Sequence, residues 1–177
     1  MILISVGTHN QPFDRLLREV DRLAEKEEIK DKIIAQIGYS SYKPRNYRYF
    51  KFTSWNRILD LNKKADVVIT HGGAGNLLIA SYFNKQIVAV PRMKRYGEHL
   101  NDHQIQLVKE LEKQGRVLAV YNITNLGQAI RKAKKKIKVN ALKKKDEKKE
   151  RKIISIVERY VEKISKEKNT KKQDEGV

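Results

Sequence analysis

The stretch Ala65-Asp66-Val67-Val68-Ile69-Thr70-His71-Gly72-Gly73-Ala74-Gly75-Asn76 passes from a β-branched run into a glycine cluster, and the apolar Leu77, Leu78 and Ile79 follow at once. Such a run at residues 66–70 suits a buried strand, glycines suit a tight loop, and the segment beyond, at about 76–83, reads as a helix. The same order recurs on both sides. Upstream, residues 2–6 read as a buried strand, and Pro12 as the first residue of a helix continued by Phe13, Leu16, Leu17, Val20 and Leu23 at helical spacing. Residues 33–37 read as a second strand ended by Gly38, residues 39–46 as a loop, and residues 48–52 as a short third strand. Ser54 is placed to cap a helix through Ile58, Leu59 and Leu61. Downstream come a strand at 87–90 ended by Pro91, a helix at about 101–114, a strand at 116–120 and a helix from about Thr124. About six strands alternating with helices imply an α/β protein with a doubly wound parallel sheet, whose ligands gather at the carboxyl ends of the strands.

The rare polar residues cluster at those ends. Gly7-Thr8-His9-Asn10 follows the first strand, Gly38-Tyr39-Ser40-Ser41 the second, and His71-Gly72-Gly73-Ala74-Gly75-Asn76 the fourth. Gly97-Glu98-His99-Leu100-Asn101-Asp102-His103-Gln104 follows the fifth, so all four histidines of the chain lie in these segments. In a doubly wound sheet the four loops share one rim, which predicts one crevice. Glycines ahead of a helix let backbone N–H groups approach an anion, so the 72–76 loop suits phosphate, and Gly7-Thr8 ahead of Pro12 offers the same on a smaller scale. Neither is the dinucleotide G-x-G-x-x-G nor a Walker loop. His99 and His103 are four residues apart, but no H-E-x-x-H accompanies them, and no metal site is expected.

Composition narrows the function classes. At 177 residues the chain is one domain with a tail, on a prior of roughly 150 residues per domain. It has no Cys, which removes disulfides, thiolate metal sites and cysteine catalysis. There is no run of about 18 apolar residues and no signal-peptide pattern, so a cytoplasmic protein is expected. The net charge is +18, and residues 131–152 hold 13 Lys or Arg against 3 acidic residues, a net +10. That stretch carries no Phe, Tyr or Trp to stack on bases, so nucleic acid is an unfavoured partner despite the charge. Beyond it Ile153, Val157, Tyr160 and Ile164 form an apolar stripe at helical spacing, which needs a partner. The expected organisation is a ligand-binding domain at 1–130, a basic linker and amphipathic helix at 131–168, and a disordered tail at 169–177.

Val6-Gly7-Thr8 with Pro12-Phe13-Asp14-Arg15-Leu16, Gln36-Ile37-Gly38, the 65–75 stretch, Val90-Pro91-Arg92 and Glu98-His99-Leu100-Asn101-Asp102-His103-Gln104 occur in that order. Over about residues 1–125 this resembles the C-terminal, nucleotide-sugar-binding domain of family 28 glycosyltransferases. It is most similar to their free-standing members, the donor-binding subunits of two-chain transferases in dolichol-linked glycan, capsule and exopolysaccharide synthesis. The resemblance implies a Rossmann-like fold, the C-terminal half of a GT-B glycosyltransferase, plus a helical tail. It also implies a UDP-sugar as donor substrate, with no cofactor and no metal.

On that resemblance Gly7, Thr8 and His9 face the diphosphate, with Gly38 beside them. Phe52 and Thr53 match the segment that holds uracil, and His71, Gly72, Gly73, Ala74, Gly75 and Asn76 pack on ribose and phosphates. Asn101, His103 and Gln104 match the segment that reads sugar and phosphate hydroxyls, with Arg92, Glu98 and His99 nearby. An arginine or imidazolium there would stabilise the charge of the leaving diphosphate. Two departures stand out. Ile79 occupies the position where two-domain relatives carry a ribose-binding glutamate, and the acceptor-binding half has no counterpart in these residues. The resemblance therefore places the catalytic base on another chain and no catalytic residue here. The expected partner is a membrane-anchored acceptor-binding subunit at the inner face of the membrane, docked through the apolar stripe, with the basic tail adding attraction to anionic lipid. The competing readings are a non-catalytic stabilising subunit of such a transferase and a basic nucleic-acid-binding module.

Overall fold

The computed structural model describes residues 1–142. The apolar stripe at 153–164 and the tail at 169–177 lie outside the described residues. Six parallel strands, β1 (Ile2–Ser5), β2 (Ile33–Gln36), β3 (Arg48–Phe50), β4 (Val67–Thr70), β5 (Gln86–Ala89) and β6 (Leu118–Ala119), form one sheet in the order β3-β2-β1-β4-β5-β6. Five helices connect and cover them: α1 (Asp14–Glu25), α2 (Trp55–Lys64), α3 (Ala74–Tyr82), α4 (His103–Lys113) and α5 (Leu126–Leu142). The fold is α/β and Rossmann-like, as the alternation implies.

Both faces of the sheet are buried, and the pleat decides which core each residue joins. Ile2, Ile4 and Val6 turn to the core that contains Leu16, Leu17, Val20 and Leu23 of α1 with Ala129, Ile130 and Ala133 of α5. Leu3 and Val68 turn to the core that contains Leu61 of α2, Leu77 and Ala80 of α3, and Leu107, Val108 and Leu111 of α4. Each Val, Leu or Ile among them contributes about 1.5–3 kcal/mol when fully buried. Helix α5 runs across residue 130, and its Ala133 is fully buried while Ile137 packs on the same core.

Several boundaries differ from expectation, each for a local reason. Helix α1 begins at Asp14, because Phe13 has a non-helical backbone (φ −131°, ψ 49°) and its N–H donates to Ser40 Oγ at 3.0 Å; Pro12 therefore precedes the helix. Helix α3 begins at Ala74, which moves Asn76 from the helix edge into its first turn. Helix α4 begins at His103, whose N–H donates to Asn101 Oδ1 at 3.2 Å. A 3-10 turn at Ile123–Asn125 precedes α5. Strands β3 and β6 are shorter than their apolar runs, as befits sheet edges with one neighbour each.

The order reverses between β1 and β4, which are paired in register from Ile2 opposite Val67 to Ser5 opposite Thr70. Neighbouring loops leave the sheet in opposite directions there, so a crevice opens above the carboxyl ends of these two strands.

Candidate functional site

Val6 follows the central strand β1, and Gly7 then turns with φ +76°, a conformation open to glycine at no steric cost. The imidazole of His71, from the end of β4, lies directly against it: a Cβ at Gly7 would sit 2.6 Å from His71 Cε1. Gly73 also lies against the ring, and a Cβ there would stand 2.8 Å from the same atom. The ring thus occupies space that two side chains would otherwise fill, and both glycines are required by it.

His71 Nδ1 lies 3.3 Å from the Ser5 carbonyl oxygen, 3.4 Å from Thr70 Oγ1 and 3.4 Å from the Asn76 amide nitrogen, so this edge of the ring faces polar groups of three segments. Burial and the charge of Arg92 push this imidazole down to about 3, and it is neutral at physiological pH. Asn76, in the first turn of α3, donates to Ser5 Oγ at 2.8 Å, and Ser5 Oγ donates to Gln36 Oε1 at 2.7 Å. A hydrogen-bonded row across three secondary elements therefore forms a neutral polar floor.

Above it is a cavity of about 640 Å³. Gly7, Thr8, His9, Thr53, His71, Gly73, Ala74, Gly75, Asn76 and Gln104 line it, so ten of the residues expected at the site are brought together. Gln36, Trp55, Ile58 and Ile79 also line it. The first three were missed as site residues, although two signals were visible. Gln36 is a polar residue at the carboxyl end of a buried strand, and Trp55, the one Trp of the chain, begins a helix at the rim and is 63% exposed. With Ile58 and Ile79 it adds an apolar part to a lining that is otherwise polar and glycine-rich.

The other expected residues sit elsewhere. Gly38 packs behind the Gly7 carbonyl, and Gly72 packs on Val108 of α4. Phe52 stands outside the cavity, edge-on to Tyr39 with ring centroids 5.0 Å apart. Asn101 accepts the His103 N–H just ahead of α4, and His103 opens the helix.

Arg92, placed near the leaving group by the sequence reading, is 1% exposed and serves the backbone instead. One terminal nitrogen donates to the carbonyls of Gln11 (2.8 Å), Pro12 (3.2 Å) and Glu98 (3.1 Å), and the other to Val6 (2.9 Å). Burial pushes it down to about 10, so it remains charged. Glu98 is likewise consumed: Arg15 grips it with two bonds of 2.8 and 2.9 Å, and the Met93 N–H donates to it at 3.1 Å. These two charges tie the β1 and β5 loops together behind the crevice. His99 stacks on His9, with ring centroids 4.7 Å apart.

The opposite wall is fastened by carboxylates. Asp14 Oδ1 accepts from the N–H groups of Ser41 and Tyr42. Burial would raise Asp21, but the Tyr42 hydroxyl and the N–H groups of Arg45 and Asn46 outweigh it and hold the carboxyl below its usual range. Loop 39–47 is thereby fixed on α1, and with it the path through β3 to Thr53 and Trp55. Among the described residues no group of three or more His, Asp or Glu side chains is placed to hold a metal ion. No helix of the described residues is long and apolar enough to cross a membrane.

Residues 1–172 match the glycosyltransferase family 28 C-terminal domain. The chain is similar to the UDP-N-acetylglucosamine transferase subunit ALG13 of Homo sapiens, 34% identical over 125 residues that cover 66% of this chain and 10% of that protein. The Mus musculus protein of the same name is 33% identical over 90 residues, 48% of this chain and 7% of its own length. The chain thus spans about a tenth or less of the curated relatives it matches. Among solved structures, the glycotransferase of kitacinnamycin superposes with a TM-score of 0.58 at 18% identity, covering 75% of this chain and 34% of that one. The calicheamicin glycosyltransferase CalG4 does so with 0.55 at 13%, covering 91% and 38%. These likenesses concern the fold: the sheet is that of a part of GT-B glycosyltransferases.

Proposed function

Since the chain belongs to the glycosyltransferase family 28 C-terminal domain family, we propose that it is the donor-binding subunit of a two-chain transferase that moves a hexose from a UDP-sugar to a lipid-linked acceptor. The observation that carries the reading is the crevice at the β1–β4 switch point, whose lining combines glycines and polar side chains with Trp55, Ile58 and Ile79. A diphosphate fits the glycine side, where Gly7, Gly73 and the first turn of α3 offer backbone N–H groups and the positive end of a helix. The uracil ring fits the Trp55, Ile58 and Ile79 side, an indole face with two branched aliphatic side chains. This also accounts for Ile79: at that position an aliphatic side chain extends the apolar wall, and the ribose contact falls to Asn76 or Gln36. Gln104, whose Oε1 accepts the Arg92 N–H at 3.2 Å, keeps its amide NH₂ for the sugar.

The charge that develops on the leaving diphosphate meets preorganised N–H dipoles, which need no reorganisation as the glycosidic bond breaks. The group that deprotonates the acceptor is assigned to a membrane-anchored partner at the cytoplasmic face, since direct displacement needs donor and acceptor held in line by two domains. Calorimetric titration with UDP, then UDP-glucose, UDP-galactose and UDP-N-acetylglucosamine, tests the reading. Saturable binding that is weakened in His71→Ala and Gln104→Ala supports it; binding of a DNA duplex in place of UDP sinks it.

A further inference from the structure

Among the described residues, those that line the crevice include no Asp, Glu, Lys or Arg, and their titratable side chains are the imidazoles of His9 and His71. The acids of the same rim are engaged elsewhere. The loops at the carboxyl ends of the strands carry Glu98 and Asp102, and Asp14 opens α1. Glu98 is gripped by Arg15 and the Met93 N–H, Asp102 Oδ1 accepts the Lys94 N–H at 3.0 Å, and Asp14 Oδ1 accepts from Ser41 and Tyr42. In whatever pose a nucleotide lies in the cavity, its sugar hydroxyls meet no carboxylate of that lining. The neutral groups that do line it lose little when a hydroxyl is missing. Gln36 Oε1 already accepts the Ser5 hydroxyl at 2.7 Å and keeps that partner with or without a ligand. Asn76 Nδ2 donates to Ser5 Oγ at 2.8 Å, and since the residue is half-buried its carbonyl oxygen can turn to water. Ile79 lies one helical turn beyond Asn76 on the same face of α3 and presents only an aliphatic surface to the cavity. A carboxylate that bonded a hydroxyl would be left as an unpaired, desolvated charge in its absence, whereas these groups are not.

We infer that the crevice does not read the 2′-hydroxyl of the pentose, so that it takes 2′-deoxyribonucleoside diphosphates alongside ribonucleoside diphosphates, with Ile79, Gln36 and Asn76 as the residues that set this tolerance. The inference rests on the nucleotide-sugar reading and widens its substrate class. A site discriminates strongly against a ligand that lacks a hydroxyl only when it holds buried polar groups that the missing hydroxyl leaves unpaired. Here selectivity falls to the two ends of the nucleotide, the base and the diphosphate, and the pentose between them is held by its position.

The test is calorimetry of the purified chain with UDP and with dUDP, which differ in that hydroxyl alone. The dissociation constants should lie within about tenfold of each other, the upper end for one neutral hydrogen bond. A larger preference for UDP overturns the inference and leaves the nucleotide-sugar reading standing; binding of neither nucleotide defeats that reading and the inference with it. Two variants then test the cause. Ile79→Glu and Gln36→Glu each set a carboxylate in the lining, the second with almost unchanged shape and with the Ser5 hydroxyl still bonded, so that one of them is expected to fold even where the other does not. At least one should raise the preference for UDP over dUDP about tenfold above wild type, the gain of a charge-assisted over a neutral hydrogen bond. Because both nucleotides carry the same diphosphate, the ratio within each variant cancels any repulsion by the new charge. A ratio that stays at the wild-type value in both variants, each folded by circular dichroism, overturns the assignment of the tolerance to the uncharged lining.

Discussion

The two sides of the β1–β5 edge of the crevice treat polar groups in opposite ways. Behind the crevice, Arg92 and Glu98 are buried and Arg15 is half-buried, and they are tied to one another and to backbone carbonyls. Facing it, Ser5, Gln36, His71 and Asn76 are neutral and joined in a row that ends at open space. At this edge charge therefore holds loops, and neutral dipoles face the crevice. A buried cation that already donates to four carbonyls has little left for a phosphate, whereas an amide or imidazole with one engaged edge has another to offer.

The sharpest way to break this contrast is Arg92→Met. It leaves the carbonyls of Val6, Gln11, Pro12 and Glu98 without their donor, and urea denaturation should report a loss of about 3–5 kcal/mol, the range for breaking a buried charged network. An Arg92 that mainly served the ligand would leave stability intact.

The floor has its own signature in pH. The folded state refuses a proton at His71 until about 3, while the unfolded chain accepts one near 6.5. Its contribution is fully present above pH 6.5 and lost as pH falls toward 3, with a slope of up to about 1.4 kcal/mol per pH unit. Denaturation of wild type and His71→Asn across that window should show the slope in the first and its removal in the second.

Gly73→Ala sets a methyl against the His71 ring and should cost about 1–3 kcal/mol, measured by thermal unfolding, with UDP binding lost as the ring is displaced. The smallest expected effect on the fold comes from Trp55→Ala, whose side chain is largely exposed. Its melting temperature should stay at the wild-type value while UDP affinity falls about tenfold, the worth of stacking one base on an aromatic ring. A Trp55→Ala chain that melts early but binds normally would reverse the assignment of that wall.

The legible and illegible parts of the site divide along the same line. The glycine loops, His71 and Asn76 could be found because a strand end, a glycine cluster and a helix start are all local patterns. Trp55 was hidden because its role depends on loop 39–47 being fastened by Asp14 and Asp21, contacts made 24 to 28 residues away. Arg92 and Glu98 were read as site residues from the company they keep in sequence. Their neighbours in space, Arg15 and the carbonyls of the β1 loop, lie more than 75 residues away and claim them for the scaffold.

By itself the sequence determined the alternation of strands and helices, the six-stranded parallel sheet and the rim where the crevice opens. Those follow from hydrophobic periodicity and glycine placement, which act over a few residues. The tertiary structure alone decided which polar side chains on that rim stay free. A donor or acceptor is spent on whichever partner folding brings within about 3 Å, and for Arg92, Glu98 and Asp21 that partner comes from a distant segment.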